Sequence, residues 1–169
     1  AEGAQSFCGT PEYLAPEILH KAGYGRTVDW WSLGALLYEM LVGLPPFYEK
    51  DRTRLFQKIK SAPLDFPDYV SEDARDILRG LLERNPLRRL GAGEDDAAEV
   101  KAHPFFAGVD FDALLDGRIH APWVPKVSDS LDTRHFDSAF TALPVSSPPT
   151  SSTIVSSQDP RAHFEGFTF

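Results

Sequence analysis

Between Val28 and Val42 the chain reads Val-Asp-Trp-Trp-Ser-Leu-Gly-Ala-Leu-Leu-Tyr-Glu-Met-Leu-Val, and Gly43 with the pair Pro45-Pro46 ends the run. Apolar residues occupy nearly every helical face of this segment. A helix of that kind belongs inside a fold, so a buried central helix is expected here. A second pattern is one-sided. Ala74, Ile77, Leu78, Leu81 and Leu82 follow i, i+3, i+4 spacing behind Ser71 and the acidic pair Glu72-Asp73. That predicts an amphipathic helix over about Ser71–Arg84 with an acidic first turn. Further helices are expected at about Asp51–Lys60 and Asp96–Ala102. Ahead of the central helix, Ala1–His20 reads as a loop tightening into a short helical turn, because Pro11 and Pro16 forbid one continuous helix.

Past His103-Pro104-Phe105-Phe106 the periodicity fades. Isolated aromatics (Phe111, Trp123, Phe136, Phe140) stand in a polar, proline-bearing background from about Ala107 onward. Between Pro144 and Pro160 the composition is mostly Ser, Thr and Pro, which reads as a flexible linker. The last six residues, Phe164-Glu-Gly-Phe-Thr-Phe169, are aromatic again, the pattern of a tethered peptide that docks.

Composition narrows the classes. With 169 residues and 42% apolar content the chain has material for one core. A net charge of −8 argues against broad binding to nucleic acid or anionic membranes. No apolar run approaches the roughly 18 residues of a membrane span. Cys8 is the only cysteine, which excludes an intrachain disulfide and fits a reducing cytoplasmic or nuclear setting. The five histidines are scattered without metal-ligand spacing, so no zinc site is expected. Position 1 is Ala, the sole methionine is Met40, and nothing resembles a signal peptide, so a piece of a longer product is expected.

The most specific signal is Phe7–Glu17, Phe-Cys-Gly-Thr-Pro-Glu-Tyr-Leu-Ala-Pro-Glu. It resembles the end of a protein-kinase activation segment, closing in the Ala15-Pro16-Glu17 motif. Only Ala1–Ser6 stand ahead of it. These 169 residues therefore hold no glycine-rich loop, phosphate-pairing lysine, catalytic-loop aspartate or Asp-Phe-Gly. Three further stretches carry the likeness: Val28–Met40, the run Arg84-Asn-Pro-Leu-Arg-Arg-Leu-Gly-Ala-Gly93 leading to His103–Phe106, and the tail. Together they resemble the C-terminal part of an AGC-type serine/threonine kinase. The Leu-Gly-Ala-Gly run and Ala102–Phe106 look most like the ribosomal-protein kinase branch, with the Akt and SGK branches close behind. The fold implied is a mainly α kinase C-lobe piece with an extended, partly disordered tail. The resemblance divides the chain into 1–106, the kinase domain from the activation segment onward, and 107–169, the AGC tail with its turn and hydrophobic motifs.

By this resemblance Glu17 and Arg89 form a buried ion pair anchoring the substrate-binding loop; the alternative is two unrelated surface charges. Thr10 would support the absent catalytic aspartate and favour Ser/Thr acceptors, unless its hydroxyl merely caps its own backbone. Phe7, Gly9, Pro11 and Leu14 belong to the substrate side, with Phe7, Pro11 and Leu14 lining the pocket for the residue after the phosphoacceptor. Glu39 matches an acidic position that binds basic substrates, with simple helix-surface solvation as the alternative. Asp29 is either an N-terminal helix cap or the anchor of the absent catalytic loop. Leu36 and Met40 match residues beneath the adenine, and core packing describes them equally well. Ser6 stands where this family carries its activation phosphosite, whose phosphate arginines bind. In the tail, Phe136 matches a residue near the adenine, Ser147 resembles the turn-motif phosphosite, and Phe164, Phe167 and Phe169 around Thr168 form the hydrophobic motif.

The parent is thus expected to transfer the γ-phosphoryl of ATP, with Mg2+, to serine or threonine on protein substrates, including basic ones. An upstream activating kinase would dock at the hydrophobic motif. Neither nucleotide nor metal is expected on these residues alone, and the isolated chain is expected to be inactive. Two other readings remain: a non-catalytic docking module, and a pseudokinase.

Overall fold

The computed structural model describes residue 4, residues 6–21 and residues 23–145. The sites expected at Ser147, Phe164, Phe167, Thr168 and Phe169 lie outside them. The chain divides into two compact units, Ala1–His120 and Ala121–Phe169.

The first unit is helical, and among the described residues one bridge between extended residues joins Ala4 to Tyr24. A 3-10 turn at Pro11–Tyr13 leads into α1 (Pro16–His20), then α2 (Thr27–Val42), α3 (Arg52–Ser61), α4 (Glu72–Leu81), α5 (Ala97–Lys101), a second 3-10 turn at Pro104–Phe106, and α6 (Phe111–Leu115). No helix among the described residues is long and apolar enough to cross a membrane.

The core is built on α2, which turns Trp31, Gly34, Ala35, Leu37 and Tyr38 inward. Trp31 is fully buried and stacks on Phe47, ring centres 6.0 Å apart. Deleting a core aromatic of this kind costs about 3–5 kcal/mol. Tyr38 satisfies its hydroxyl by donating to the Asp65 carbonyl at 2.8 Å. The helix stops at Gly43, whose φ of 93° lies in the left-handed region and whose N–H returns to the Glu39 carbonyl at 2.7 Å. Against α2 lies α4, and Gly34 sets the spacing: a Cβ there would stand 2.8 Å from that of Leu81.

α4 follows the sequence pattern at its start. Ser71 Oγ accepts the Ala74 N–H at 3.3 Å, Glu72 and Asp73 fill the first turn, and Ala74, Ile77, Leu78 and Leu81 are buried. It ends at Leu81, short of the expected Arg84. Arg84 leaves the helix to donate to the carbonyls of Ile59 (2.8 Å) and Lys58 (3.3 Å) at the end of α3. Pro86 disfavours helical backbone at Asn85 besides. The Arg84 bonds, one of them to the Ala62 carbonyl, cap the C-terminal end of α3.

The expected all-round burial of α2 is corrected by Leu36 and Met40, which are 45% and 65% exposed. α4 and the Pro11–Tyr13 turn cover only part of the helix circumference. Core packing is therefore excluded for these two residues. Two short helices had no periodic signature. α6 starts at Asp110, whose carboxylate accepts the Ala113 N–H at 2.9 Å. In the second unit α7 (Ser138–Thr141) starts at Asp137, which accepts the Ala139 N–H at 2.8 Å.

Around the start of the second unit, Asp132 gathers donors: Ser128 N at 2.7 Å, Ser128 Oγ at 3.0 Å and Arg134 Nε at 2.7 Å. The backbone N–H of Ser128, then Arg134, hold its carboxyl well below the usual carboxylate range.

Candidate functional site

The Phe7–Glu17 segment makes its sharpest contacts through two carboxylates. At its end, Glu17 meets Arg89 across 72 residues, with Nη1–Oε1 at 2.6 Å and Nη2–Oε2 at 2.9 Å. The arginine side chain is 0% exposed and that of the glutamate 10%. The fork is filled on its other edges: Nη1 donates to the Thr27 carbonyl at 2.8 Å and Nε to that of Glu83 at 2.8 Å. The guanidinium carbon stands 5.2 Å from the centre of the Trp31 ring. A buried charge pair is tolerated only when its remaining donors are satisfied in this way. The alternative of two unrelated surface charges is excluded. Arg88, its neighbour, is exposed and pairs with Glu83 at 3.1 Å.

At the other end, Gly9 takes a φ of 117°, a conformation that side chains rarely adopt, and a Cβ there would press within 3.2 Å of Leu14. Leu14 is buried, Pro11 half-buried, and Phe7 exposed. Phe7 is set edge to face on Phe56 of α3, centres 6.0 Å apart. Thr10 precedes the 3-10 turn and gives its carbonyl to the Tyr13 N–H at 3.1 Å. Its hydroxyl makes no capping bond, so the self-capping alternative is excluded. Thr10 instead opens on a cavity of about 280 Å³ lined by Glu12, Tyr13, Glu39, Leu44, Pro45 and Tyr48.

Glu39 is held in that cavity by Tyr13, whose hydroxyl donates to Oε2. It is therefore not a merely solvated helix residue. The bond to Glu39 raises the Tyr13 phenol pKa above its usual value, with smaller contributions from burial and from the charges of Glu39 and Glu12. Two carboxylates beside an open hydroxyl give the cavity a negative character suited to a cationic side chain.

Other expected residues are placed apart. Asp29 is exposed in the first turn of α2, and the N-terminus of that helix has no side-chain cap among the described residues, so capping is excluded for it. Ser6 is exposed, and its hydroxyl pairs with the Tyr24 hydroxyl at 2.7 Å. Phe136 belongs to the second unit, is exposed, and closes a turn onto the Thr133 carbonyl at 2.9 Å. His103 accepts the Phe105 N–H on Nδ1 at 3.2 Å, and its Nε2 stands 3.3 Å from Asp76 Oδ2 on α4. The described residues contain no cluster of three metal-ligating side chains.

Two groups had no sequence signal. Tyr13 was one. The other is Arg26, which donates to the carbonyls of Gly91 (2.6 Å), Ala92 (2.9 Å) and Gly93 (2.6 Å) and pairs with Asp96. Asp96 also accepts the Trp30 indole N–H at 2.9 Å. This clamp ties the loop after Arg89 to the start of α2, next to the Glu17–Arg89 pair.

Residues 1–106 match the family described as protein kinase domain, and residues 127–169 match the protein kinase C terminal domain. The chain belongs to the AGC family of serine/threonine protein kinases. Serine/threonine-protein kinase Sgk1 of Homo sapiens is 51% identical over 140 residues, 83% of this chain and 32% of that kinase. Sgk1 of Macaca fascicularis gives the same figures. Serine/threonine-protein kinase gad8 of Schizosaccharomyces pombe is 52% identical over 137 residues, 81% of this chain and 24% of that kinase. The chain thus spans about a quarter to a third of the length of the curated kinases it matches.

Proposed function

We propose that the protein carrying this chain transfers the γ-phosphoryl of ATP to serine and threonine hydroxyls of protein substrates, and that these residues form its substrate-facing platform and regulatory tail. The observation that carries the reading is the cavity lined by both Thr10 and Glu39, with Glu39 held by the bond from Tyr13. Phosphoryl transfer is mostly positioning and charge stabilisation. The Thr10 hydroxyl is the group to steady the catalytic aspartate, and Glu39 draws a basic residue of the substrate. Phe7, Pro11 and Leu14 receive the residue that follows the phosphoacceptor. ATP, Mg2+ and the catalytic aspartate belong in this proposal to segments other than these 169 residues. Ser6, Ser147 and Thr168 are the proposed phosphosites, with Phe164, Phe167 and Phe169 docking to an activating kinase. The proposed setting is the cytoplasm or nucleus.

Transfer from radiolabelled ATP to an arginine-containing serine peptide tests this. The full-length protein should phosphorylate the peptide and the isolated 169 residues should not. Transfer by the isolated chain, or none by the full-length protein, would overturn the proposal.

A further inference from the structure

α3 opens with Arg52, one residue after its cap Asp51. The Arg52 guanidinium carbon stands 5.3 Å from the centre of the Phe56 ring and 5.9 Å from that of Phe7, while the two rings meet edge to face. Two aromatic quadrupoles attract one cation and so hold its position. Its charge does nothing for α3 itself, because in the first helical turn it faces the positive end of the helix dipole. Among the described residues Arg52 has no carboxylate partner within 4.0 Å, and neither have the exposed Lys50 and Arg54 beside it. Asp51 accepts the Arg54 N–H at 2.8 Å and leaves one negative charge at the cap of α3. Lys50, Arg52 and Arg54 thus outnumber the one carboxylate between them in sequence, Asp51, while Glu49 pairs with Lys58 at 2.9 Å.

We infer that Arg52 is a specificity-determining residue that selects substrates with an acidic residue shortly after the phosphoacceptor. The inference rests on the proposed kinase reading, in which Phe7 borders the residue following the phosphoacceptor. A guanidinium 5.9 Å from the centre of the Phe7 ring then stands just beyond that residue. A substrate carboxylate arriving there finds a cation held in place by two rings, with Lys50 and Arg54 adding to the potential. Glu39 and Arg52 together give the site opposite charges at two points, so the preferred substrate carries a basic residue for the first and an acidic one for the second.

The test uses the full-length protein and three serine peptides that share a basic segment. They differ only in the second and third residues after the serine: Glu-Glu, Ala-Ala or Lys-Lys. The wild-type protein should favour Glu-Glu over Lys-Lys by about fivefold in kcat/KM, a ratio that shrinks as salt rises. Arg52→Ala should bring the ratio close to one and Arg52→Glu should reverse it, while Arg52→Lys keeps its direction. A merely structural role for Arg52 would change all three peptides alike. Phosphorylation with the same ratio in wild type and Arg52→Glu would overturn this inference and leave the kinase reading standing. No phosphorylation of any peptide by the wild-type protein would overturn the kinase reading and this inference with it.

Discussion

The hydroxyl of Tyr13 donates to the carboxylate of Glu39, 26 residues further along, and so joins the turn after Thr10 to the last turn of α2. The bond fixes an acid in the cavity that Thr10 also lines, and it leaves a spectroscopic trace. Tyr13 should lose its proton later than a free tyrosine in an absorbance titration of tyrosinate, and Glu39→Gln should bring it back toward 10.0. Tyr38, raised by burial, should stay late in the same variant. A folded-state pKa above the unfolded value means this contribution to stability is complete below pH 10 and is lost as pH rises through the folded pKa. An unchanged Tyr13 titration in Glu39→Gln would contradict the bond.

The Glu17–Arg89 pair should behave as a buried, fully bonded ion pair. Glu17→Ala or Arg89→Ala should each cost about 3–5 kcal/mol in urea unfolding of the protein, because each strands the other charge. Replacing both with apolar residues of similar volume should cost less than the sum of the two. A loss under about 1 kcal/mol for either single change would mark the pair as an exposed one.

Gly34→Ala should destabilise although alanine is the better helix former. The gain in helix propensity is about 1 kcal/mol. The added methyl group must displace the Leu81 Cβ at 2.8 Å and Leu82 Cγ at 3.1 Å, and overpacking of this kind costs about 1–3 kcal/mol. A higher melting temperature for this variant would show that α2 and α4 lie further apart.

What the sequence made legible was local. α4 was readable because its apolar spacing, its Ser71 cap and its acidic first turn lie within a few residues of one another. The Glu17–Arg89 pair was expected only through the family resemblance, since nothing near either residue encodes a partner 72 positions away. Tyr13–Glu39 and the Arg26 clamp escaped for the same reason: they join distant residues by side-chain direction, which no periodicity records. Leu36 and Met40 looked like core because hydropathy reports what a side chain is and not which neighbours cover it. The α6 and α7 helices were too short for periodicity, and only their aspartate caps, Asp110 and Asp137, signalled them.

That uncovered face has a consequence of its own. Leu36→Ser with Met40→Ser should lower light scattering by the isolated chain at high concentration, because exposed apolar patches drive association. Since both residues are exposed, the melting temperature should hold within about two degrees. A large fall in melting temperature would place them in the core.

The most direct test of the substrate-facing role of the Thr10–Glu39 cavity is the KM of the full-length protein for two serine peptides, one carrying arginines and one with those arginines replaced by alanine. Glu39→Gln should raise KM for the arginine peptide about tenfold and leave KM for the alanine peptide nearly unchanged, the size expected for losing one charged hydrogen bond. Equal effects on both peptides, or none, would contradict the assignment of this cavity to the substrate.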